Sequence, residues 1–179
     1  MLKVKSGEID KLGLLYERYK KKLLGFFFNM NHDLEASEDL VQNVFVRILK
    51  YKHTFTGRGK FSTWMFHLAR NMYYDQYKKN KKSSKNVDVE SVSHKLMHDN
   101  TVDEQMHQSE QHLQLKKALQ QLHPEKRELI ILSRYQELKS YEIAEIVGIS
   151  EGAVRVKIHR ILKELKEIFF KLENKTHGY

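Results

Sequence analysis

The sequence predicts an all-α protein: two helical domains joined by a flexible linker, the second containing a helix-turn-helix. Three observations carry that expectation. Glycine and proline number 8 and 1 in 179 residues, which leaves few turn-makers for a many-stranded sheet. Apolar residues recur at three- and four-residue steps through most of the chain, the period of a helix with one buried face. Charge is divided, with +9 over residues 1–82, −4 over 83–110 and +4 over 111–179, so two basic modules flank an acidic, polar connector that has no apolar stripe.

Within the first module (1–82), Leu12, Leu15, Tyr16, Tyr19, Leu23 and Phe26 or Phe27 mark one helix. Asp33 is a good N-cap for a second, running to about Tyr51 with Leu40, Val41, Val44, Phe45, Ile48 and Leu49 inward. Glu38, Asp39, Gln42 and Asn43 then lie outside. The segment from Thr54 to Phe61 holds Gly57 and Gly59 and no helical period, so it reads as a loop, with Ser62 a cap for a third helix. That helix carries Trp64, Leu68 and Met72 on one stripe and ends in Lys78, Lys79, Lys81 and Lys82. The connector (83–110) reads as a flexible linker. The second module (111–179) opens with a helix through Leu113, Leu115, Leu119 and Leu122. Pro124 suits the first turn of the next helix, which buries Leu129, Ile130, Leu132 and Tyr135. A helix from Tyr141 to Val147, a turn at Gly148 to Ser150 and a second helix with Val154, Ile158, Ile161 and Leu165 inward then form a helix-turn-helix. Ala144 allows close packing, Gly148 takes the positive φ that ends a helix, and Ser150 caps the next.

A pI near 9.5 raises the question of which polyanion the chain meets. With no cysteine, disulfides, thiolate zinc sites and a thiol nucleophile are excluded. No apolar run approaches membrane-spanning length and the amino terminus has no signal core, so no membrane insertion is expected and the protein reads as soluble and cytoplasmic. An enzyme is not indicated. The histidines are scattered, His94 and His98 have metal-helix spacing without the glutamate that activates water, and there is no phosphate loop or nucleophilic triad. Neither a metal nor a cofactor is expected. The second helix of the helix-turn-helix, by contrast, exposes Glu151, Arg155, Lys157, His159 and Arg160. Arginines there could donate to guanine edges or phosphates, and the amides near Ser150 and Gly152 could cradle a phosphate.

Several motifs in order resemble the bacterial sigma factors of the extracytoplasmic-function (ECF) type within the sigma-70 family. They are Asp39-Leu40-Val41-Gln42-Asn43-Val44-Phe45-Val46-Arg47, Phe55-Thr56-Gly57, Phe61-Ser62-Thr63-Trp64-Met65, Ala69-Arg70-Asn71 with Asp75, Ile143-Ala144-Glu145-Ile146-Val147-Gly148, Gly152-Ala153-Val154-Arg155 and His159-Arg160. The resemblance implies that the first module docks on the β′ clamp helices of core RNA polymerase through Glu38, Asp39, Gln42, Asn43 and Arg47, with Phe45 read as core. It implies minus-ten promoter contacts, including contacts to single-stranded DNA, from Phe55, Gly57, Arg58, Lys60, Phe61, Trp64, Asn71, Lys78 and Lys79. A pocket of aromatics and amides can hold a flipped base, stacking being worth about 1–3 kcal/mol. The ring of Trp64, on the stripe with Leu68 and Met72, reads mainly as core, which leaves Phe55, Arg58 and Lys60 as the loop's sharper candidates. On the minus-thirty-five duplex the resemblance places Ser150, Gly152, Ala153, Arg155, Lys157, His159 and Arg160. It also implies an anti-sigma factor as a partner, which no residue identifies. Leu162 departs from the family, which often has a basic residue there. The alternative is a dimeric helix-turn-helix regulator acting without stable polymerase binding.

Overall fold

In the computed structural model, the backbone is described over residues 1–83 and 104–176. Every regular element among them is helical: α1 (Leu2–Lys5), α2 (Leu12–Asn31), α3 (Leu34–Tyr51), α4 (Phe61–Ser83), α5 (Glu104–Gln121), α6 (Pro124–Ile130), α7 (Ser140–Val147) and α8 (Glu151–Thr176). The connector expected over 83–110 lies largely outside the described residues. Its last positions, from Glu104, belong to α5.

Most element ends follow the local chemistry expected of them. The Asp33 carboxylate accepts the Ala36 N–H at 3.0 Å and starts α3. Pro124 opens α6. Gly148 ends α7 at φ +75° with its N–H on the Ala144 carbonyl, a conformation that costs other residues about 1–2 kcal/mol. The Ser150 hydroxyl accepts the Ala153 N–H at 3.2 Å and starts α8. Two details differ from expectation. Helix α4 begins at Phe61, with the Trp64 N–H on the Lys60 carbonyl, so Ser62 sits inside its first turn instead of capping it. Helix α6 widens into a π stretch over Ile131–Tyr135 that turns Tyr135 outward to 44% exposure, although the period had placed it inside. One extra residue per turn shifts every later side chain around the axis.

Helices α2, α3 and α4 enclose the first core around Leu23, Phe26, Phe27, Val44, Ile48, Met65 and Phe66, all under 2% exposed. Burying such side chains contributes about 1.5–3 kcal/mol each. Phe26 meets Phe27 and Phe66 edge to face at 5.2 and 5.6 Å. The second core, among α5 to α8, buries Leu122, Ile131, Leu132, Ile143, Ile146 and Val154. The two halves form one continuous buried cluster, with α4 packed on α7 and α2 on the π stretch. Arg127 ties the seam. Its guanidinium donates to the Leu119, Gln120 and Leu122 carbonyls at the end of α5, and also to the Met30 carbonyl at the end of α2 at 2.7 Å. One side chain thereby supplies donors to two helix C-termini that would otherwise leave carbonyls unpaired.

Candidate nucleic-acid and polymerase interfaces

The predicted docking residues share one strip. Glu38, Asp39, Gln42 and Asn43 are exposed on α3, because their neighbours Leu40, Val41 and Val44 occupy the buried face. Arg47, half-buried, reaches Asp75 of α4 at 3.3 Å. Asp39, Asn43, Arg47, Met72, Asp75 and Lys79 line a groove of about 510 Å³ between the two helices. Phe45 is core, 5% exposed and edge-on to Tyr16 at 4.9 Å.

The loop between α3 and α4 is built on aromatics. Phe55 is only 6% exposed, its ring 5.4 Å from Trp64 and 6.1 Å from Phe61, and Phe61 lies 5.1 Å from Tyr19 of α2. This corrects the expectation for Phe55: its ring holds the loop to the domain and is not presented for stacking on a base. Trp64 is half-buried in the same cluster, with its indole N–H on the Thr54 hydroxyl at 3.3 Å. Lys5 of α1 donates to the Phe55 carbonyl at 2.7 Å. Gly57 takes φ +80° beneath Leu2, where a Cβ would come within 3.0 Å of the leucine methyl. This support from α1 leaves no period in the sequence. Outside the cluster, Arg58, Gly59 and Lys60 are exposed around a cavity of about 370 Å³ that Trp64, His67 and Glu145 also line. Asn71, half-buried, stands one helical turn from His67, its amide 3.5 Å from the ring. Lys78 and Lys79 are exposed on α4 beyond it.

On α8, Arg155, Lys157, His159 and Arg160 are exposed, as is Gly152, while Ala153 is half-buried and Val154 fully buried. At 100° per residue, Gly152, Arg155, Val156, His159 and Arg160 fall on one arc, whereas Lys157 lies about 200° from Arg155 at the far edge of the exposed face. Arg155 pairs with Glu151 one turn back, both groups in solvent, a contact worth only a few tenths of a kcal/mol. Val156, 51% exposed within the basic arc, went unnoticed in the sequence because an isolated valine on a helix carries no pattern.

Two buried carboxylates join the halves. Glu142, with its side chain 4% exposed, pairs with the loop's Lys60 at 2.9 Å and accepts the Lys139 N–H at 2.9 Å, so that it also starts α7. Burial pushes its pKa up, but the Lys139 N–H and the hydrogen bond and charge of Lys60 outweigh this and hold it below the ordinary value. The bond to Glu142 and its charge raise the pKa of Lys60. Glu128 of α6, 1% exposed, accepts the Tyr74 hydroxyl at 3.0 Å and faces Arg70 Nε at 3.0 Å, a charge contact without hydrogen-bond alignment. Burial raises the pKa of Glu128 despite Arg70 and Tyr74. Neither glutamate stood out in the sequence, where each reads as an ordinary charge on a helical turn.

Among the described residues no group of histidines and carboxylates is arranged to hold a metal ion; His94 and His98 lie outside them. Nor is any described helix long and apolar enough to cross a membrane.

A helical domain with a basic aromatic loop, joined to a second domain that ends in a helix-turn-helix, is the arrangement of a DNA-binding protein. Comparison with known proteins agrees. Residues 15–83 match the sigma-70 region 2 family and residues 112–165 the sigma-70 region 4 family. The RNA polymerase sigma factor YlaC of Bacillus subtilis is 30% identical over 165 residues, 88% of this chain and 91% of its own. The ECF RNA polymerase sigma factor SigX of the same species is 32% identical over 160 residues, 86% of this chain and 81% of its own. The chain belongs to the ECF group of the sigma-70 family, and its function is that of a sigma factor, which directs core RNA polymerase to begin transcription at promoter DNA. This is not an enzyme family. The match to region 2 sets aside the dimeric regulator. In fold, the sigma factor RpoE in complex with the anti-sigma factor NepR from Bartonella quintana superposes with a TM-score of 0.69, covering 87% of this chain and 94% of its own at 24% identity. CnrH in complex with the cytosolic domain of CnrY gives 0.68, covering 93% and 92% at 20% identity.

Proposed function

We propose that three separate surfaces divide the initiation task. The α3 strip of Glu38, Asp39, Gln42, Asn43 and Arg47 docks on the β′ clamp helices of core polymerase. The loop and its surroundings, Gly57, Arg58, Lys60, Phe61, Trp64 and Asn71, hold the opened minus-ten element, with Phe55 as their support and Lys78 and Lys79 on adjoining phosphates. Helix α8 reads the minus-thirty-five duplex. There Ser150 and the Gly152 amide meet phosphate beside Ala153, whose own N–H is held by the Ser150 hydroxyl, Arg155, His159 and Arg160 meet base edges and backbone, and Lys157 meets backbone from the far edge. Val156 adds an apolar contact suited to a thymine methyl. Residues 1–82 form the first unit and 111–179 the second, joined through 83–110.

The observation that carries this reading is the arc on α8. A capped helix start, basic side chains and one small apolar side chain stand together on the face opposite Val154, Ile161 and Leu165. By analogy with the complexes of RpoE and CnrH, the chain is regulated by an anti-sigma protein, and it works in the cytoplasm, where polymerase is.

The test adds the purified chain to core polymerase with fragments of genomic DNA and maps transcription starts. New starts and co-elution with core enzyme support the reading. If neither appears and the chain alone binds a specific duplex, the division of surfaces is wrong.

A further inference from the structure

We propose that a cavity between α2 and the π stretch, lined by Lys21, Lys22, Gln136 and Glu137, binds a guanine nucleotide, its phosphates on the two lysines and its base on the two later side chains. The site shares no residue with the surfaces proposed for polymerase and promoter DNA, and it stands or falls apart from them.

The backbone that forms the cavity departs from regular geometry twice within a short span. In the π stretch the Gln136 N–H reaches back to the Ile131 carbonyl at 3.0 Å, and such widened turns recur at functional sites. Glu137 then takes φ +54°, a left-handed conformation that glutamate rarely adopts. Tyr135, Gln136 and Glu137 thereby line one side of the cavity while α2 lines the other. Gly25 keeps the facing helix bare, with Gln136 Nε2 3.8 Å from the point that a Cβ would occupy there. The volume is about 280 Å³, near the lower end of the usual range for ligand pockets, roughly 300–1,000 Å³.

The lining points to a ligand independently of the backbone. Gln136 is 9% exposed, yet among the described residues its side-chain amide makes no hydrogen bond. Buried polar groups are nearly always paired, so a buried amide that borders a cavity without a protein partner is suited to a ligand. Lys21 and Lys22 are exposed on α2, and neither pairs with a carboxylate among the described residues. Asn29 donates its amide N–H to the Gly25 carbonyl at 2.7 Å, which leaves its oxygen as an acceptor. On the other wall Glu137 is exposed and Tyr135, 44% exposed, offers an aromatic face.

These groups specify a ligand with matching parts. Adjacent ammonium groups take a phosphate or diphosphate. An ionised carboxylate can only accept hydrogen bonds, so Glu137 selects a base with N–H donors along one edge. Guanine has them at N1 and N2, beside the O6 acceptor that suits the Gln136 amide. Adenine presents an unprotonated N1 at that edge and repels the carboxylate. The Tyr135 ring adds a stacking face that any base can use, and the Asn29 oxygen accepts from a ribose hydroxyl. Inorganic phosphate alone would leave Gln136 unpaired and meet Glu137 as a like charge.

The test titrates guanosine diphosphate into the full chain by calorimetry, with adenosine diphosphate and pyrophosphate alongside. One saturable site is expected, with guanosine diphosphate bound roughly tenfold or more tighter than either competitor, as a bidentate base contact requires. Glu137→Gln should weaken guanosine diphosphate by about the same factor and leave adenosine diphosphate no weaker. Lys21→Gln combined with Lys22→Gln should weaken both nucleotides. In amide NMR spectra, guanosine diphosphate should move the signals of Gly25 and of Tyr135 to Glu137. Shifts centred on Arg58 or Arg155 instead would mean that the nucleotide sits on a cation of the loop or of α8, and would overturn the site. Equal affinity for guanosine diphosphate and either competitor overturns the guanine assignment, and the absence of saturable binding overturns the inference outright. The comparison of the three ligands uses wild type alone, so a variant that fails to fold does not decide it.

Discussion

The loop between α3 and α4, proposed for the minus-ten element, and helix α8, proposed for the minus-thirty-five duplex, are held in place by opposite structural means. Helix α8 is set by its immediate neighbours in sequence: Gly148 ends one helix, Ser150 starts the next, and Val154, Ile161 and Leu165 fix which face looks out. The loop is set by distant residues. Phe55 rests on Trp64 and Phe61, Phe61 on Tyr19, the Phe55 carbonyl on Lys5, and Lys60 on Glu142. A surface built from local signals should lose function one contact at a time, whereas a surface held by long-range packing should fail as a unit.

Substitutions can break or sharpen that contrast. Phe55→Ala should have the largest effect, costing about 3 kcal/mol of stability in denaturant titration, the low end for a buried phenylalanine at a domain edge. Use of the minus-ten element should fall with it while duplex binding through α8 persists. A comparable loss on the upstream element would mean that the two surfaces are not independent. Next is Glu128→Ala, which strands Arg70 beside a vacated site. Because Arg70 is a quarter exposed, the cost should sit below the range for fully buried pairs, at about 2 kcal/mol. It should appear as a shift in the distance between the halves as well as in melting temperature. Gly148→Ala places a side chain at φ +75° and should cost about 1 kcal/mol, with α8 contacts weakened and the loop untouched.

The smallest effect is in pH. Glu142 has a lowered pKa, so its contribution is complete above the ordinary carboxylate range and is lost as pH falls through its own lower value. Lys60, Lys139 and Tyr141 are the charged and titratable groups around it. The melting-temperature advantage of wild type over Glu142→Gln should therefore shrink in acid. A difference that holds constant from neutral pH to pH 3 would show that the charge of Glu142 contributes nothing.

The same contrast explains what could be read from the sequence. Period and capping residues placed α2, α3, α4 and the helix-turn-helix, and with them the exposed strip of Glu38 to Arg47 and the basic arc of α8, because those features depend on residues within one or two turns. The π stretch that turns Tyr135 outward has no such signature. Phe55 was misjudged for a related reason. An aromatic beside two glycines has the composition of a base-stacking loop, and only the positions of Tyr19, Phe61 and Trp64, distant in sequence, show its ring to be occupied. Glu128 and Glu142 were invisible because a buried carboxylate differs from a surface one only by its partners, and Arg70, Tyr74 and Lys60 come from the other half of the chain.

The division of labour between the surfaces is tested most directly by Arg155→Ala. Its side chain is solvent-exposed and, among the described residues, pairs with Glu151 on the same helix, so the fold should be unaffected. Start sites would be mapped with core polymerase on promoters carrying an intact or scrambled upstream element, alongside co-elution with core enzyme. We expect the intact promoter to lose roughly tenfold or more, in line with about 1–3 kcal/mol for a base-edge contact, the scrambled one to change little, and core binding to persist. Equal losses on both promoters, or loss of core binding by a folded variant, would contradict the assignment of α8 to upstream DNA.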